Sequence, residues 1–224
     1  MRSNMNSMSS MSSAITDNMN ALHNKLSPTI TNMIRMDHAA VMTTFHQYQI
    51  DTKPKTKQAL VASICLALEI HAQLEEEIFY PAMRTAAGGT DGNVLEKNVP
   101  EHDEMRRLIS KLRTMDPTDG AYDPTVMELM RDVLHHVADE ETTLLPDAER
   151  ILGPERLSEL GAQMTRRRIQ LSTPHAGEIA SNTLRGMPAS SMLMAAGAVL
   201  AGTYLASRAF NTRTTYTAPG SGRH

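Results

Sequence analysis

The sequence predicts an all-α protein whose central unit is a bundle of four amphipathic helices. Apolar residues recur at helical period along four segments between residues 28 and 152, which gives each segment one apolar face. Each of these faces also carries a histidine, and two of them carry a glutamate as well. Polar side chains inside apolar faces indicate that the helices pack around a cofactor in the core of the bundle.

Start and stop signals divide this region into its helices. Ser27-Pro28 is typical of an N-cap followed by the first helical residue, and Pro54 marks the start of the second helix in the same way. Glycine, proline and aspartate residues occupy the turns. The helices are predicted at about 28–50, 54–86, 93–115 and 125–151.

Further segments flank the bundle on both sides. The break at Gly153-Pro154 predicts that an additional amphipathic helix follows the fourth bundle helix. The predicted organisation is a disordered or partly helical N-terminal segment (1–27), the bundle (28–152), the additional helix (153–171), a linker (172–186), an apolar helix (187–207) and a disordered tail (208–224).

The apolar helix has two interpretations. Residues 186–207 carry no charge over 22 positions, which is the length of a membrane-spanning helix. The segment is composed mostly of Ala, Gly, Ser and Met, which is weakly apolar for that purpose. It is either a transmembrane anchor that holds the bundle at the cytoplasmic side of an inner membrane, or a soluble helix that packs on the bundle or on another copy of the chain.

One pattern of polar residues is used twice within the bundle. His71–Pro81 and His136–Pro146 each begin with a histidine, place a glutamate four residues later and end with a proline ten residues later. Another histidine precedes each run at nearly the same distance: His38 lies 33 residues before His71, and His102 lies 34 residues before His136. Such a duplication in register is more specific than a single motif.

The repeated residue types are those of a metal site. Residues four apart lie on one face of a helix, so each glutamate points the same way as its histidine. Buried carboxylates are costly unless they are paired or metal-bound, and no lysine or arginine lies within the four apolar faces. Imidazoles with carboxylates favour iron, zinc, manganese or copper over calcium or magnesium. The predicted ligands of two bridged metal ions are His38, His71, Glu75, His102, His136 and Glu140.

Neighbouring histidines and acids are expected to lie outside this set. His136 is preferred over the adjacent His135 because it repeats the distances from His71 to its glutamate and proline. His46 lies eight residues after His38 and about 80° further around the helix, on the surface or in the core. Glu76, Glu77 and Glu141 are expected on a solvated flank or in a second layer around the ligands.

These residues resemble the hemerythrin-like family, specifically its HHE cation-binding domain. The resemblance implies an up-down-up-down four-helix bundle that holds two non-heme iron ions joined by an oxo or hydroxo bridge, with the same six residues as ligands. It covers about residues 28–150 and is carried by DHAAV at 37–41, IHAQLEEEIFYP at 70–81, EHDEMRRLI at 101–109 and HHVADEETTLLP at 135–146.

Two departures separate the chain from oxygen-carrying hemerythrins. Arg106 stands where those proteins have a fifth histidine, and Glu140 replaces an aspartate one position further along. The ligand set instead resembles the bacterial iron-sulfur-cluster-repair and stress-linked di-iron members. Because both metals then keep an open coordination position, reaction with oxygen, peroxide or nitric oxide is favoured over reversible oxygen carriage.

The leading functional hypothesis is a di-iron protein that reacts with or senses a small diatomic molecule or peroxide, linked to oxidative or nitrosative stress or to iron homeostasis. The alternative is a reversible oxygen- or iron-binding module without turnover, and whether the chain is an enzyme stays open. A formal net charge of −3 and no large basic region indicate no nucleic-acid partner. The single cysteine, Cys65, excludes an intrachain disulfide and fits the cytoplasm. A homo-oligomer is left open.

Overall fold

The computed structural model describes residues 28–86 and 92–186, and for residues 92–96 it describes the backbone alone. Within these ranges the chain is helical and has no β-strand, which confirms the all-α class. The predicted N-terminal segment 1–27, the apolar helix 187–207 and the tail 208–224 lie outside the described residues. Among the helices that are described, none is both long enough and apolar enough to cross a bilayer.

Seven α-helices and three short helical turns make up the described chain. The α-helices are α1 (Ile30–Gln47), α2 (Pro54–Leu74), α3 (Tyr80–Ala86), α4 (Gly92–Thr114), α5 (Tyr122–Asp139), α6 (Leu145–Ser172) and α7 (Ala176–Gly186). Two π-helical turns, Glu75–Phe79 and Glu140–Leu144, join α2 to α3 and α5 to α6, and a 3₁₀ turn, Thr173–His175, precedes α7.

Local chemistry accounts for most of the helix ends. The N-cap of α1 is Thr29, whose Oγ1 accepts a hydrogen bond from the Asn32 backbone N–H at 3.3 Å, so the helix begins two residues later than predicted. Pro54 opens α2 as expected. At Gly153 the backbone turns to φ 72° and ψ 164°, which breaks α6 at the predicted position and redirects the chain.

The predicted linker at 172–186 is instead helical. The 3₁₀ turn Thr173–His175 contains Pro174, and α7 follows it to Gly186. Asn182 is buried at 7% exposure, so α7 packs against the rest of the described chain. This helix was not predicted from the sequence, because the segment is short and contains Pro174 and Gly177, which are typical of turns.

Packing between helices follows their order in the chain. α1 packs on α2, and α4 packs on α5, as expected for helices joined by short connections. Contacts between α2 and α4 join the two pairs, and α6 folds back along α1 and α2. The described chain is therefore a helical bundle with an additional helical layer against its first pair.

The core consists of two apolar layers with a polar layer between them. One apolar layer includes Phe45, Leu108 and Leu129, and the other includes Ile34, Phe79 and Leu160. In each of the four helices α1, α2, α4 and α5 the sequence passes from one apolar layer to the other through a buried histidine. The fold thus places one histidine from each of four helices at the same height in the bundle.

Candidate metal centre

Six buried side chains meet in the polar layer between the two apolar layers. None of them is more than 5% exposed, and Glu75 is fully buried. α1 supplies a histidine, α2 and its π turn supply a histidine and a glutamate, and α4, α5 and the second π turn repeat this arrangement. The six are His38, His71, Glu75, His102, His136 and Glu140, the set predicted from the sequence.

The histidines turn their Nε2 atoms toward the two glutamates. Oε2 of Glu75 lies 3.4 Å from Nε2 of both His71 and His102. Oε2 of Glu140 lies 3.4 Å from Nε2 of His38 and 3.6 Å from Nε2 of His136. Each glutamate therefore stands between a histidine of its own helical pair and a histidine of the other pair.

The donor atoms form two overlapping groups that share Glu75. One group contains His38, His71, Glu75 and Glu140, and the other contains Glu75, His102 and His136. Within each group, the candidate ligand atoms lie within 4.8 Å of one another. A carboxylate common to two groups is the arrangement needed to bridge two cations.

Both glutamates that line the centre begin a π-helical turn, at Glu75 and Glu140. Such turns occur in α-helices mainly as single-turn insertions, often at functional sites. In the first turn the residue that follows into the core is Phe79, which is fully buried, whereas Ile78, expected from a regular helical period, is only partly buried. The altered period was not predicted from the sequence.

Four carboxylates form a second layer around the centre, and each lies within hydrogen-bond distance of Nδ1 of one imidazole. Nδ1 of His38 lies 2.9 Å from Glu141, Nδ1 of His102 lies 2.9 Å from Glu76, and Nδ1 of His136 lies 3.0 Å from Glu101. Nδ1 of His71 lies 3.4 Å from Asp37.

This second layer follows the internal repeat. Asp37 and Glu101 each precede a histidine of the centre in sequence and bind the other histidine of their own helical pair. Glu76 and Glu141 each follow a glutamate of the centre and bind a histidine of the opposite pair. An acceptor on Nδ1 fixes that nitrogen as the protonated one and leaves Nε2 free as a metal ligand.

Cations reinforce three of these four carboxylates. Arg168 donates to both oxygens of Asp37 at 2.5 and 2.6 Å, and Arg106 donates to Glu76 at 2.7 Å. Lys97 lies 3.4 Å from Glu101. Arg106, which stands in place of a fifth histidine, thus supports the second layer.

Two arginines of a basic run at 166–168 in α6 pair with acidic residues of the bundle. Arg167 binds Glu77, and Arg168 binds Asp37 beside the centre. Both arginines tie α6 to the bundle, which a local sequence pattern does not reveal because their partners lie about 90 or more residues away.

Two further polar residues contact the glutamates on one side of the centre. The Tyr80 hydroxyl lies 3.1 Å from Glu75 Oε2 and 3.0 Å from Glu140 Oε1, and it donates its hydrogen between them. Asn98 Nδ2 donates to Glu140 Oε1 at 3.1 Å. Burial and the two glutamates raise the pKa of Tyr80 above its usual range, so the phenol stays neutral and keeps its hydrogen.

Asn98 was missed in the sequence because Val99 fits the apolar period better, yet Asn98 is 1% exposed and Val99 is only partly buried. Tyr80 was missed because a tyrosine in an apolar run is ordinarily part of the core.

Four inward-facing atoms of the centre are buried without a hydrogen-bond partner. They are Nε2 of His38, Nε2 of His71, Oε1 of Glu75 and Oε2 of Glu140. Buried polar atoms without partners are costly and rare in proteins. Imidazole nitrogen and carboxylate oxygen are suitable ligands for iron, zinc or manganese, so the residues present fit a pair of such cations.

The charges of the centre depend on one another. Burial acts to raise the pKa of Glu75, but His71, His102 and His136 outweigh it and hold that pKa well below its usual range. Burial acts to lower the pKa of His136, but hydrogen bonds with Glu101 and Glu75 outweigh it and raise the pKa to about 10. Protons and metal cations therefore compete for binding to the same imidazoles and carboxylates.

A small cavity lies against the imidazoles on the side away from Tyr80. Its volume is about 20 Å³, which is enough for one water-sized group. Apart from the histidines, its walls are mostly apolar and are formed by residues such as Val41, Leu68, Met105, Ile109 and Val133.

The neighbouring histidines lie where the sequence analysis expected them. His135 is exposed, whereas the adjacent His136 is buried at 2% exposure among the six. His46 is exposed on α1. The structure thus brings together all six predicted residues, and their identity as metal ligands stays a prediction.

Comparison with known proteins relates this chain to one protein family. The model of the Hemerythrin HHE cation binding domain matches residues 29–148. A hemerythrin HHE cation binding domain-containing protein from Mycobacterium kansasii, solved by crystallography, has a similar fold, with a TM-score of 0.58 at 18% sequence identity. That similarity covers 71% of this chain and 99% of the solved chain.

Two relatives share the same region. A DNA nickase from Nostoc sp. is 32% identical over 127 residues, which make up 57% of this chain and only 35% of the relative's length. An uncharacterized hemerythrin-like protein from Schizosaccharomyces pombe is 22% identical over 137 residues, or 61% of this chain and 68% of that protein. With a domain match over more than half of its length, the chain belongs to the Hemerythrin HHE cation binding domain family.

Proposed function

We propose that this chain is a non-heme di-iron protein that reacts with or senses oxygen, peroxide or nitric oxide. The observation that carries the proposal is the pair of donor groups that share Glu75, with four of their inward atoms buried and unpartnered. His38 and His71 would hold one iron, His102 and His136 would hold the other, and Glu75 and Glu140 would bridge them. Iron would supply the redox chemistry and the affinity for a small oxygen or nitrogen species.

The protein's own residues prepare the site in three ways. The outer carboxylates keep each Nδ1 protonated, so that each Nε2 is available to the metal. Tyr80 and Asn98 hold the glutamates in place by hydrogen bonds. The small apolar cavity beside the imidazoles limits the centre to ligands of about the size of water, a diatomic molecule or peroxide.

A reversible oxygen- or iron-binding module is the second candidate. Arg106 weighs against oxygen carriage, because its guanidinium is engaged with Glu76 and Asp103 and adds no donor to the centre. The two candidates differ in turnover. A carrier changes colour reversibly when the solution is degassed, whereas a protein that consumes peroxide or nitric oxide removes it in proportion to time.

The setting of this activity is part of the proposal. We expect the protein to act in oxidative or nitrosative stress or in iron homeostasis, because these processes involve the molecules with which the centre would react. We also expect it to lie in the cytoplasm. Membrane attachment through residues 187–207 and self-association stay predictions, which fractionation and sedimentation of the full chain would test. The activity named for the Nostoc relative is not carried over, because the match spans 35% of that protein.

Metal analysis of the wild type and of Glu75→Ala tests the proposal directly. We expect about two iron atoms per chain in the wild type. Because one carboxylate serves both donor groups, Glu75→Ala is expected to lower the iron content of both positions and to destabilise the bundle. Glu77→Ala, an exposed residue two positions away, is the matched control and is expected to keep its iron.

The proposal fails if Glu75→Ala retains the wild-type iron content, or if the wild type reconstituted with ferrous iron binds less than one equivalent. Timed consumption of peroxide and nitric oxide by the reconstituted protein then separates reaction from storage.

A further inference from the structure

A second, larger cavity lies on the outer side of His71, between α1, α2, the end of α6 and α7. Its volume is about 290 Å³, close to the lower end of the range of small-molecule sites. Most of its wall is apolar, with Val41, Ile64, Leu66, Ile70 and Ile179 among the lining residues. It is open to solvent on one side, so a ligand can enter without unfolding the bundle.

Two of the polar side chains that line this cavity have a donor atom without a hydrogen-bond partner. The hydroxyls of Thr44, Ser63 and Thr183 donate to backbone carbonyls of their own helices. In contrast, Asn182 Nδ2 and Arg168 Nε are both buried and have no hydrogen-bond partner, although both residues line the cavity. Asn182 is only 7% exposed, so water satisfies its amide poorly. The missing group must therefore accept hydrogen bonds.

The geometry of Arg168 favours a carboxylate as that acceptor. Its Nη1 and Nη2 atoms already bind both oxygens of Asp37, at 2.5 and 2.6 Å. A guanidinium has five N–H donors in a planar fork, so the edge that carries Nε can bind a second carboxylate while the first stays in place. Asp37 is the acidic residue that lines the cavity, and Arg168 already pairs with it.

We propose that this cavity binds a medium-chain aliphatic monocarboxylate. The carboxylate would accept hydrogen bonds from Arg168 Nε and Asn182 Nδ2, and the hydrocarbon chain would lie against the apolar wall. The volume corresponds to roughly ten water molecules, which suits a chain of about eight carbons. The binding site stands independently of the iron chemistry.

The bound carboxylate would also act on the metal centre, a consequence that rests on the proposed function. Arg168 binds Asp37, and Asp37 lies 3.4 Å from Nδ1 of His71. Sharing Arg168 with a second anion weakens its hold on Asp37 and makes Asp37 a stronger acceptor for His71. A stronger acceptor at Nδ1 increases the donation of Nε2 to a metal. The bound carboxylate would thus increase the electron donation of His71 to the metal without entering the small cavity.

Titration calorimetry of the full chain with octanoate tests the site. We expect saturable binding of one octanoate per chain, and we expect Asn182→Leu to weaken it about tenfold, because the variant removes a buried hydrogen bond while keeping the volume of the side chain. Asn32→Leu, at an exposed position on α1, is the matched control and should bind like the wild type. Ala67→Phe narrows the cavity while leaving both donors in place, and it should also weaken binding.

Two results would overturn the site: octanol binding as tightly as octanoate, which would make the cavity a simple apolar groove, or octanoate binding that neither Asn182→Leu nor Ala67→Phe weakens. Because calorimetry does not require iron, these results are independent of the metal analysis. For the coupling, octanoate is expected to shift the near-ultraviolet absorption of the iron-loaded wild type, and an unchanged spectrum at saturation would refute it.

Discussion

Individual carboxylates outside the six central residues decide how the imidazoles are oriented. Each of the four Nδ1 atoms faces a carboxylate from a different position in the chain, so no imidazole can rotate without losing a charged partner. Partners of this kind commonly contribute as much to a metal site as some of its direct ligands do.

Glu101→Gln is expected to lower metal affinity without unfolding the bundle. The amide is a weaker acceptor for His136 Nδ1, which lies 3.0 Å from the carboxylate in the wild type. We expect affinity to fall about 10–100-fold in a chelator competition assay. Glu104→Gln is the control, since Glu104 is a half-buried residue of the same helix that pairs with Arg107 and not with a histidine of the centre. Equal affinities for the two variants would contradict the assigned role.

Tyr80→Phe is expected to destabilise the chelator-treated protein. Its hydroxyl lies within 3.1 Å of both buried glutamates, so its removal leaves them with fewer donors. The expected loss is about 1–3 kcal/mol of unfolding free energy, measured in urea. Tyr122→Phe, at another buried tyrosine far from the centre, should cost less. If both variants lost the same free energy, the hydroxyl would have no special role at the centre.

At this scale the sequence predicted the six central residues because they repeat. Of the outer carboxylates, Glu76 and Glu141 were expected on a solvated flank or in a second layer, and the structure places them in that layer. Asp37 and Glu101 repeat as well and directly precede histidines, but their role was not predicted from the sequence. Which imidazole each acid contacts depends on the packing of the helices. Asn98 and Tyr80 have no counterparts in the repeat, and no pattern could reveal them.

Among the helices, the prediction was accurate where a clear stop signal exists. Pro54 and Gly153 mark boundaries that the structure places at those residues. The π-helical turns and α7 were not predicted, because a π turn depends on the packing around it and α7 is a short helix of 11 residues that follows Pro174. The element that the sequence described least well is therefore the one that packs over the larger cavity.

Gly161→Ala is expected to separate α6 from the start of α1. A Cβ at this position would lie 2.0 Å from the backbone oxygen of Pro28 and 3.1 Å from the nitrogen of Ile30, and backbone atoms cannot move aside cheaply. The expected loss is about 1–3 kcal/mol, measured by urea unfolding. At Gly120 a Cβ would meet nothing within 4 Å, so Gly120→Ala is the control. If Gly161→Ala were as stable as the wild type, α6 and the start of α1 could not approach each other this closely.

For the whole molecule, the charge network of the centre links stability to pH. Raising the pKa of His136 from 6.5 to about 10 means that the folded protein without metal holds a proton that the unfolded chain releases. That contribution to stability is fully present below pH 6.5 and is lost as the pH rises toward 10. Metal binding needs neutral imidazoles, so metal affinity changes in the opposite direction.

We therefore expect the chelator-treated protein to lose stability between pH 6.5 and 10, and iron affinity to increase over the same range. Urea unfolding at several pH values, with and without iron, measures both. A chelator-treated protein that becomes more stable above pH 7 would contradict the arrangement of charges at the centre.

The one-sided hydrogen bonding of Tyr80 and Asn98 has a consequence for spectroscopy. The residue that corresponds to Tyr80 in the second half of the chain is Leu145, and the one that corresponds to Asn98 in the first half is Ile34. Glu140 accepts from both polar side chains, whereas Glu75 accepts from Tyr80 alone. Within each carboxylate only one oxygen accepts, Oε2 of Glu75 and Oε1 of Glu140, while the other oxygen has no hydrogen-bond partner. Two irons bound to different oxygens of the same glutamates would then differ in electronic environment, and their Mössbauer spectrum would consist of two distinct quadrupole doublets.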